Sequence, residues 1–129
     1  MTARRRGSVS VEAALVFPVL FGLVVGVLEW GRVLASELAL VQVVRDAALT
    51  GARADASDGP DTAAQARVDA ALTAAGFSAG EATISVSALH LACGEALVLE
   101  VSVPYDPTVP LVPVPDQLSA RTVARLEDQ

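Results

Sequence analysis

The feature that most constrains this chain is an uninterrupted apolar run near its N-terminus. Ala13 to Leu28 contains no polar side chain, and Ser8–Leu28 has polar side chains only within its first five positions. About 20 apolar residues in a helix are enough to cross the hydrocarbon core of a bilayer. A helix that is apolar on every side could not be enclosed by the small domain that remains. The sequence therefore predicts one transmembrane helix over residues 8–28.

Charged and aromatic residues flank this helix and predict its orientation. The N-terminal flank is basic, and the C-terminal flank has an aromatic residue between charged ones: Arg4, Arg5 and Arg6, then Glu29, Trp30 and Arg32. Tryptophan prefers the headgroup region, and a long arginine side chain can extend into it. The positive-inside rule puts the basic cluster in the cytoplasm and the C-terminal part outside it. A cleaved secretory signal is the alternative, but no small-x-small site follows Leu28.

The helical pattern continues beyond the predicted membrane boundary. Residues 33–54 contain no proline and a single glycine, Gly51. Five apolar residues at spacings of three, four or seven predict one stripe along this part: Leu34, Leu38, Val41, Ala48 and Ala52. We therefore expect one helix from about Ser8 to Ala54, with a kink at Pro18 in its membrane half and an amphipathic continuation over residues 29–54.

Residues 55–129 predict a small domain that contains both helix and strand. Asp58 could cap a second helix over residues 61–75, with Pro60 in its first turn and Gly76 as its stop.

After Gly80 the apolar period changes to two. Three half-buried strands are expected around Ile84–Ala88, Leu97–Val103 and Leu118–Leu126, and the first two form a hairpin through residues 92–94. A proline-rich loop over residues 104–115 precedes the third strand. The amphipathic part of the long helix is the natural cover for such a sheet. The predicted fold class is α+β and pilin-like: a long N-terminal helix packed on a small antiparallel sheet.

Charge and the scarcity of reactive side chains exclude several classes of function. The net charge is -6, and residues 55–129 carry eleven acidic residues against three arginines, which argues against binding nucleic acid. His90 and Cys93 are the only histidine and the only cysteine, too few for a zinc site or an intramolecular disulfide. Serine and cysteine nucleophiles have no convincing base. We expect no catalysis, no cofactor, no metal and no small-molecule substrate.

A processing motif adjoins the anchor. The basic leader, residues 1–7, ends in Gly7, the apolar helix begins at Ser8, and Glu12 is the fifth residue after that glycine. This arrangement resembles the type IV prepilin signal, which is cut after the glycine and leaves the helix intact. A carboxylate at the membrane edge needs a partner, and the new ammonium on Ser8 of a neighbouring subunit is one candidate. Stabilisation of Glu12 by the helix dipole is the other interpretation.

The resemblance becomes more specific over residues 4–54. Residues 6–20 read Arg-Gly-Ser-Val-Ser-Val-Glu-Ala-Ala-Leu-Val-Phe-Pro-Val-Leu, residues 29–32 read Glu-Trp-Gly-Arg, and residues 44–54 read Val-Arg-Asp-Ala-Ala-Leu-Thr-Gly-Ala-Arg-Ala. Together they resemble the TadE-like family. Trp30 stands where phenylalanine is usual, and Ala13 replaces an aromatic residue that often follows the glutamate.

This resemblance implies a minor pseudopilin that assembles or primes a tight-adherence (Tad, Flp) pilus or a related secretion apparatus. It implies three partners: a prepilin peptidase, other pilin or pseudopilin subunits, and the pilus assembly platform. The chain would cross the bacterial cytoplasmic membrane once or become part of a pilus. The residues do not distinguish TadE from its sister TadF. The alternative function is an uncleaved, membrane-tethered module that binds an envelope or extracellular ligand.

Overall fold

A computed structural model describes residues 4–54, 59–91 and 94–126 of the chain. In these residues two helices precede three strands, with a short 3-10 turn at Ala79–Glu81 between them: α1 (Arg4–Ala52), α2 (Pro60–Ala74), β1 (Thr83–Leu91), β2 (Gly94–Pro104) and β3 (Gln117–Arg125). The strands form one antiparallel sheet in the order β1-β2-β3. The predicted α+β class, a long helix combined with a small antiparallel sheet, is confirmed.

Helix α1 is continuous from the basic leader to the end of the predicted amphipathic part. It begins at Arg4, four residues earlier than expected, because the arginines are good helix formers and no breaker separates them from the apolar run. Pro18 lies inside the helix. The helix ends at Ala52, close to the predicted end at Ala54.

Helix α2 has the predicted proline at its start and the predicted glycine at its stop. Its N-cap position is Gly59, without a side-chain cap, and Asp58 lies outside the described residues. At the C-terminus Gly76 has a φ of 83°. Its N–H donates to the Thr73 carbonyl at 3.1 Å, and the Phe77 N–H donates to the Leu72 carbonyl at 2.9 Å. This Schellman motif needs a left-handed residue, which glycine adopts without steric cost.

The sheet has the predicted alternation only in part, because Ala96–Leu99 is buried without interruption. In the register of the strands, Leu99 faces Val86 on one side and Thr122 on the other, and Val101 faces Ile84 and Ala120. These residues share one face because neighbours opposite each other in a sheet point to the same side. The predicted turn at residues 92–94 falls mostly outside the described residues.

The chain forms two compact units. The first contains the helix up to Val33 together with Pro107–Val114, and the second contains residues 34–106 and the C-terminal strand. The core of the second unit combines the end of α1, one face of α2 and the inner face of the sheet. Its fully buried large side chains are Leu40, Val44, Val68, Leu72, Leu97, Leu99, Val101 and Leu118. A surface ion pair between Arg67 and Asp46, with Nη2 and Oδ2 2.6 Å apart, links α2 to α1.

The stripe predicted on the second half of α1 is only partly right. Ala48 and Ala52 are buried, but Leu34, Leu38 and Val41 are exposed. A different set on the same helix faces the core: Leu40, Val43, Val44, Ala47 and Ala48. The two sets have the same helical spacing, so spacing alone could not choose between them.

Gly51 is a point of close approach between α1 and the rest of the second unit. A Cβ atom there would lie 2.7 Å from the Pro60 carbonyl oxygen, 2.8 Å from the Ala64 Cβ and 2.9 Å from the Leu97 Cδ2. The first two atoms belong to the backbone and to a side chain too short to move aside. Gly51 therefore allows the end of α1 to approach both α2 and β2.

We expect Gly51→Ala to destabilise the second unit. Overpacking costs about 1–3 kcal/mol, and the better helix propensity of alanine offsets at most about 1 kcal/mol of it. The matched control is Gly31→Ala in the same helix, where a Cβ would meet nothing within 4 Å. Urea unfolding of the full chain in detergent micelles measures both variants. Equal stability of the two would contradict the close approach at Gly51.

Candidate functional site

The predicted processing site lies in the first turns of α1. The backbone of Gly7 and Ser8 is helical, and so is that of Arg4, Arg5 and Arg6. The side chains of residues 4–9 lie outside the described part of the structure. The role of this segment therefore stays a prediction that depends on the sequence: a basic leader, a glycine, and a helix that continues through the cleavage point.

The apolar segment of α1 meets the requirements of a membrane span. A helical stretch within Ser10–Ala52 has a mean hydropathy of 2.4, and none of that window is buried inside the protein. Phe17 and Phe21 stack on its surface with ring centroids 6.3 Å apart. Exposure of so many large apolar side chains is not stable in water, so this surface needs a bilayer or other helices around it.

Glu12 is an exposed carboxylate on this apolar surface. It shares its side of the helix with Val16 and Leu20, which follow at spacings of four, and both of these are exposed as well. Among the described side chains, no cation lies within salt-bridge distance of Glu12. A carboxylate surrounded by apolar side chains is costly inside a bilayer unless a partner neutralises it.

The predicted boundary residues Glu29 and Arg32 form a defined cluster with Thr108. The Glu29 side chain is buried, with 3% of the residue exposed. Its Oε1 accepts a hydrogen bond from the Thr108 N–H at 3.0 Å, and its Oε2 lies 3.6 Å from Nη1 of Arg32. Arg32 in turn donates from Nη1 to the Thr108 hydroxyl oxygen. Both oxygens of the buried carboxylate thus face a donor or a cation, as a buried charge requires.

Thr108 is the member of this cluster that the sequence analysis missed. It is separated from Glu29 by 79 positions and lies in the proline-rich loop before β3. No local pattern marks it, because a threonine between prolines is ordinary in a loop. Trp30 was predicted as an interfacial anchor, and about half of it is exposed beside the cluster. That role for Trp30 stays a prediction.

The second unit also has an unpartnered apolar surface on α1. Leu34, Leu38 and Val41 follow one another at spacings of four and three, and Leu38 is 65% exposed. Solvated helix faces usually carry polar residues at such positions. A row of large aliphatic side chains on one helix face is typical of a surface that packs against another helix.

The remaining reactive residues lie apart from these features. In the described parts of the chain, no three His, Cys, Asp or Glu side chains come together in a way that could hold a metal ion. Cys93 and the side chain of His90 lie outside those parts. The expectations for this pair therefore stay predictions.

A long helix with an exposed apolar span, followed by a small helix-and-sheet domain, gives an α+β protein with one candidate membrane anchor. The model of the TadE-like protein family matches residues 7–49, and the resemblance to that family is thereby confirmed over all but the first three and last three residues of α1. The match associates the chain with the Tad pilus system. No curated protein and no solved structure gives a significant match.

Proposed function

We propose that this protein is a minor pseudopilin that takes part in assembling or priming a Tad (Flp) pilus or a related secretion apparatus. The observation that carries the proposal is the position of the family match. It begins at Gly7, the residue that precedes the predicted cleavage, and covers the whole exposed apolar span. A pseudopilin needs both the cleavage site and the apolar span, because its helix is first inserted in a membrane and later leaves it for an assembly of helices.

The proposed orientation places the leader in the cytoplasm and the sheet domain outside it. The three arginines before the span support this direction, since positive charge next to a membrane helix stays on the cytoplasmic side. A prepilin peptidase would then cut between Gly7 and Ser8 at the cytoplasmic face and expose an ammonium group on Ser8.

Two surfaces are available for other pilin or pseudopilin subunits and for the assembly platform. The first is the apolar span, where Glu12 offers a negative charge to the ammonium of a neighbouring subunit. The second is the exposed row of Leu34, Leu38 and Val41. We propose that both bind helices of other subunits, and that the chain itself catalyses no reaction.

Processing at Gly7 is the direct test of this function. The mature protein should begin at Ser8, and Gly7→Leu should accumulate at full length, because the peptidase must accommodate a side chain where glycine has none. Mass spectrometry of the protein from a strain with an active prepilin peptidase measures the N-terminus. Wild-type protein that still begins at Met1 would favour the alternative, an uncleaved tethered binding module.

A matched control separates cleavage from insertion. Gly22→Leu places the same side chain in the same helix, at a position where a Cβ meets nothing within 4 Å. It makes the span more apolar, so insertion should not suffer. Gly22→Leu protein should therefore be cut to begin at Ser8. Full-length Gly22→Leu protein would show that the Gly7 result reflects a general defect in the helix.

A further inference from the structure

The loop Pro107–Val114 contains a tight turn with a leucine at its tip. The Val112 N–H donates to the Val109 carbonyl at 3.1 Å, which makes Pro110 and Leu111 the two central residues of a β-turn. Proline suits the first of these positions because its φ is fixed. Turns in water usually have glycine, asparagine, aspartate or serine next to it. Here the residue is Leu111, and it is 90% exposed.

The same loop is attached to α1 by the cluster of Glu29, Arg32 and Thr108. The Thr108 N–H donates to Glu29 and the Thr108 hydroxyl accepts from Arg32, so the segment that leads into the turn is held on the helix. The loop and the helix up to Val33 belong to one compact unit, which fixes the position of the turn relative to the span.

That position is the end of the apolar span. Glu29 directly follows Leu28, the last residue of the apolar run, and the exposed Trp30 comes next. The turn is therefore held at the level where a bilayer has its headgroups, the depth that tryptophan prefers. Residues 107–114 contain no charged side chain, although residues 55–129 as a whole are strongly acidic.

We propose that Pro107–Val114 is a second membrane contact, which inserts Leu111 into the boundary between headgroups and acyl chains beside α1. The proposal rests on the membrane anchor of the proposed function. The occupant of this surface is the lipid, because the loop is joined to the lipid-facing helix at the boundary itself. An amphipathic surface gains binding energy there from buried apolar area, and an uncharged tip carries no desolvation cost for ionised groups.

Site-directed fluorescence in vesicles tests the proposal on the full chain. Each variant has Cys93→Ser and one new cysteine, which is labelled with the polarity-sensitive fluorophore NBD. The protein is placed in phosphatidylcholine vesicles. These are prepared with or without lipids that carry a doxyl quencher near the top of the acyl chain. The labelled variants are Leu111→Cys, Val24→Cys in the span, and Thr73→Cys on the exposed surface of α2 as the reference for a polar surface site.

The expected result is a blue-shifted NBD emission at position 111 that loses intensity with the quencher lipid and resists aqueous iodide. A label at position 111 that iodide quenches as strongly as the label at Thr73, while Val24 responds to the lipid quencher, would overturn the loop contact alone. A blue shift at 111 without lipid quenching would also overturn it, because a protein partner would then cover the loop. Failure of lipid quenching at Val24 would overturn the anchor and the loop contact together.

Glu29→Leu in the same background tests the attachment. The leucine removes the acceptor for the Thr108 N–H and the partner of Arg32, and it extends the apolar run from Leu28 to Trp30. Lipid quenching should fall at position 111 and stay the same at position 24. Unchanged quenching at both positions would overturn the role assigned to Glu29.

Discussion

Glu12→Ala protein is expected to enter the membrane and to be cut between Gly7 and Ser8, yet to support few or no pili. Insertion should become easier, because the substitution removes a charge from an apolar helix. The cleaved bond is untouched. The protein loses the carboxylate that we propose to pair with the Ser8 ammonium of another subunit.

The size of this effect follows from the surroundings of Glu12. The exposed side chains one turn away are aliphatic, so in an assembly of such helices the pair would lie in a medium of low dielectric constant. Removing one partner of a buried pair leaves the other uncompensated and costs about 3–5 kcal/mol. At 1.4 kcal/mol for each factor of ten, subunit docking would weaken by more than about a hundredfold.

Counting pili, together with the amounts of processed protein and of the subunit complex, measures the prediction. Glu37→Ala is the matched control, since Glu37 is an exposed glutamate of the same helix beyond the apolar span. Glu12→Asp keeps the charge on a shorter side chain and should fall between wild type and alanine. Normal piliation by well-processed Glu12→Ala protein would instead support stabilisation of Glu12 by the helix dipole.

The second large effect is expected in the core of the sheet. Leu99 is completely buried in the central strand, between Val86 and Thr122 on the neighbouring strands. Truncating a buried leucine to alanine costs about 2–5 kcal/mol, because the cavity closes only partly. Domains of this size bury little surface and have small stability margins. Leu99→Ala should therefore leave the sheet domain largely unfolded at physiological temperature.

Val123→Ala is the control for this variant. Val123 lies on the edge strand β3 and is 56% exposed, so its truncation should change the free energy of unfolding by no more than about 0.5 kcal/mol. Thermal unfolding followed by circular dichroism compares the two. A shift of similar size for both variants would show that the sheet face formed by Leu99 is not the core.

The spacing of apolar residues and the positions of glycine and proline were enough to predict the helices and strands of this fold. The change from a 3.6-residue to a two-residue apolar period after Gly80 located the sheet, and Gly76 marked the end of α2 because few residues besides glycine adopt its backbone conformation. The helix face that covers the core was predicted only in part. Leu34, Leu38 and Val41 satisfy the helical period as well as Leu40, Val44 and Ala47 do, and only packing against α2 and the sheet separates the two sets.

Prediction of the site was limited by distance along the chain. Gly7, Glu12, Glu29 and Arg32 could be selected because each stands at a recognisable position relative to the apolar run. Thr108 could not, because its contact with Glu29 is made through tertiary structure and leaves no trace in spacing. The Thr108 N–H that donates to Glu29 is a backbone group, which every residue except proline has. The identity of the residue at position 108 therefore gives little information about this hydrogen bond.

The contact between Glu29 and Thr108 also fixes an order of events during biosynthesis. The ribosome makes the span and Glu29 well before residue 108, which lies 79 positions later. The span can insert in that interval, since a membrane helix satisfies its own backbone hydrogen bonds. Before Thr108 is made, Arg32 one turn further on and water can offset the charge of the Glu29 carboxylate, and both are available where Leu28 lies at the edge of the bilayer. The boundary of this membrane helix is therefore completed by a segment that is synthesised 79 positions after Glu29.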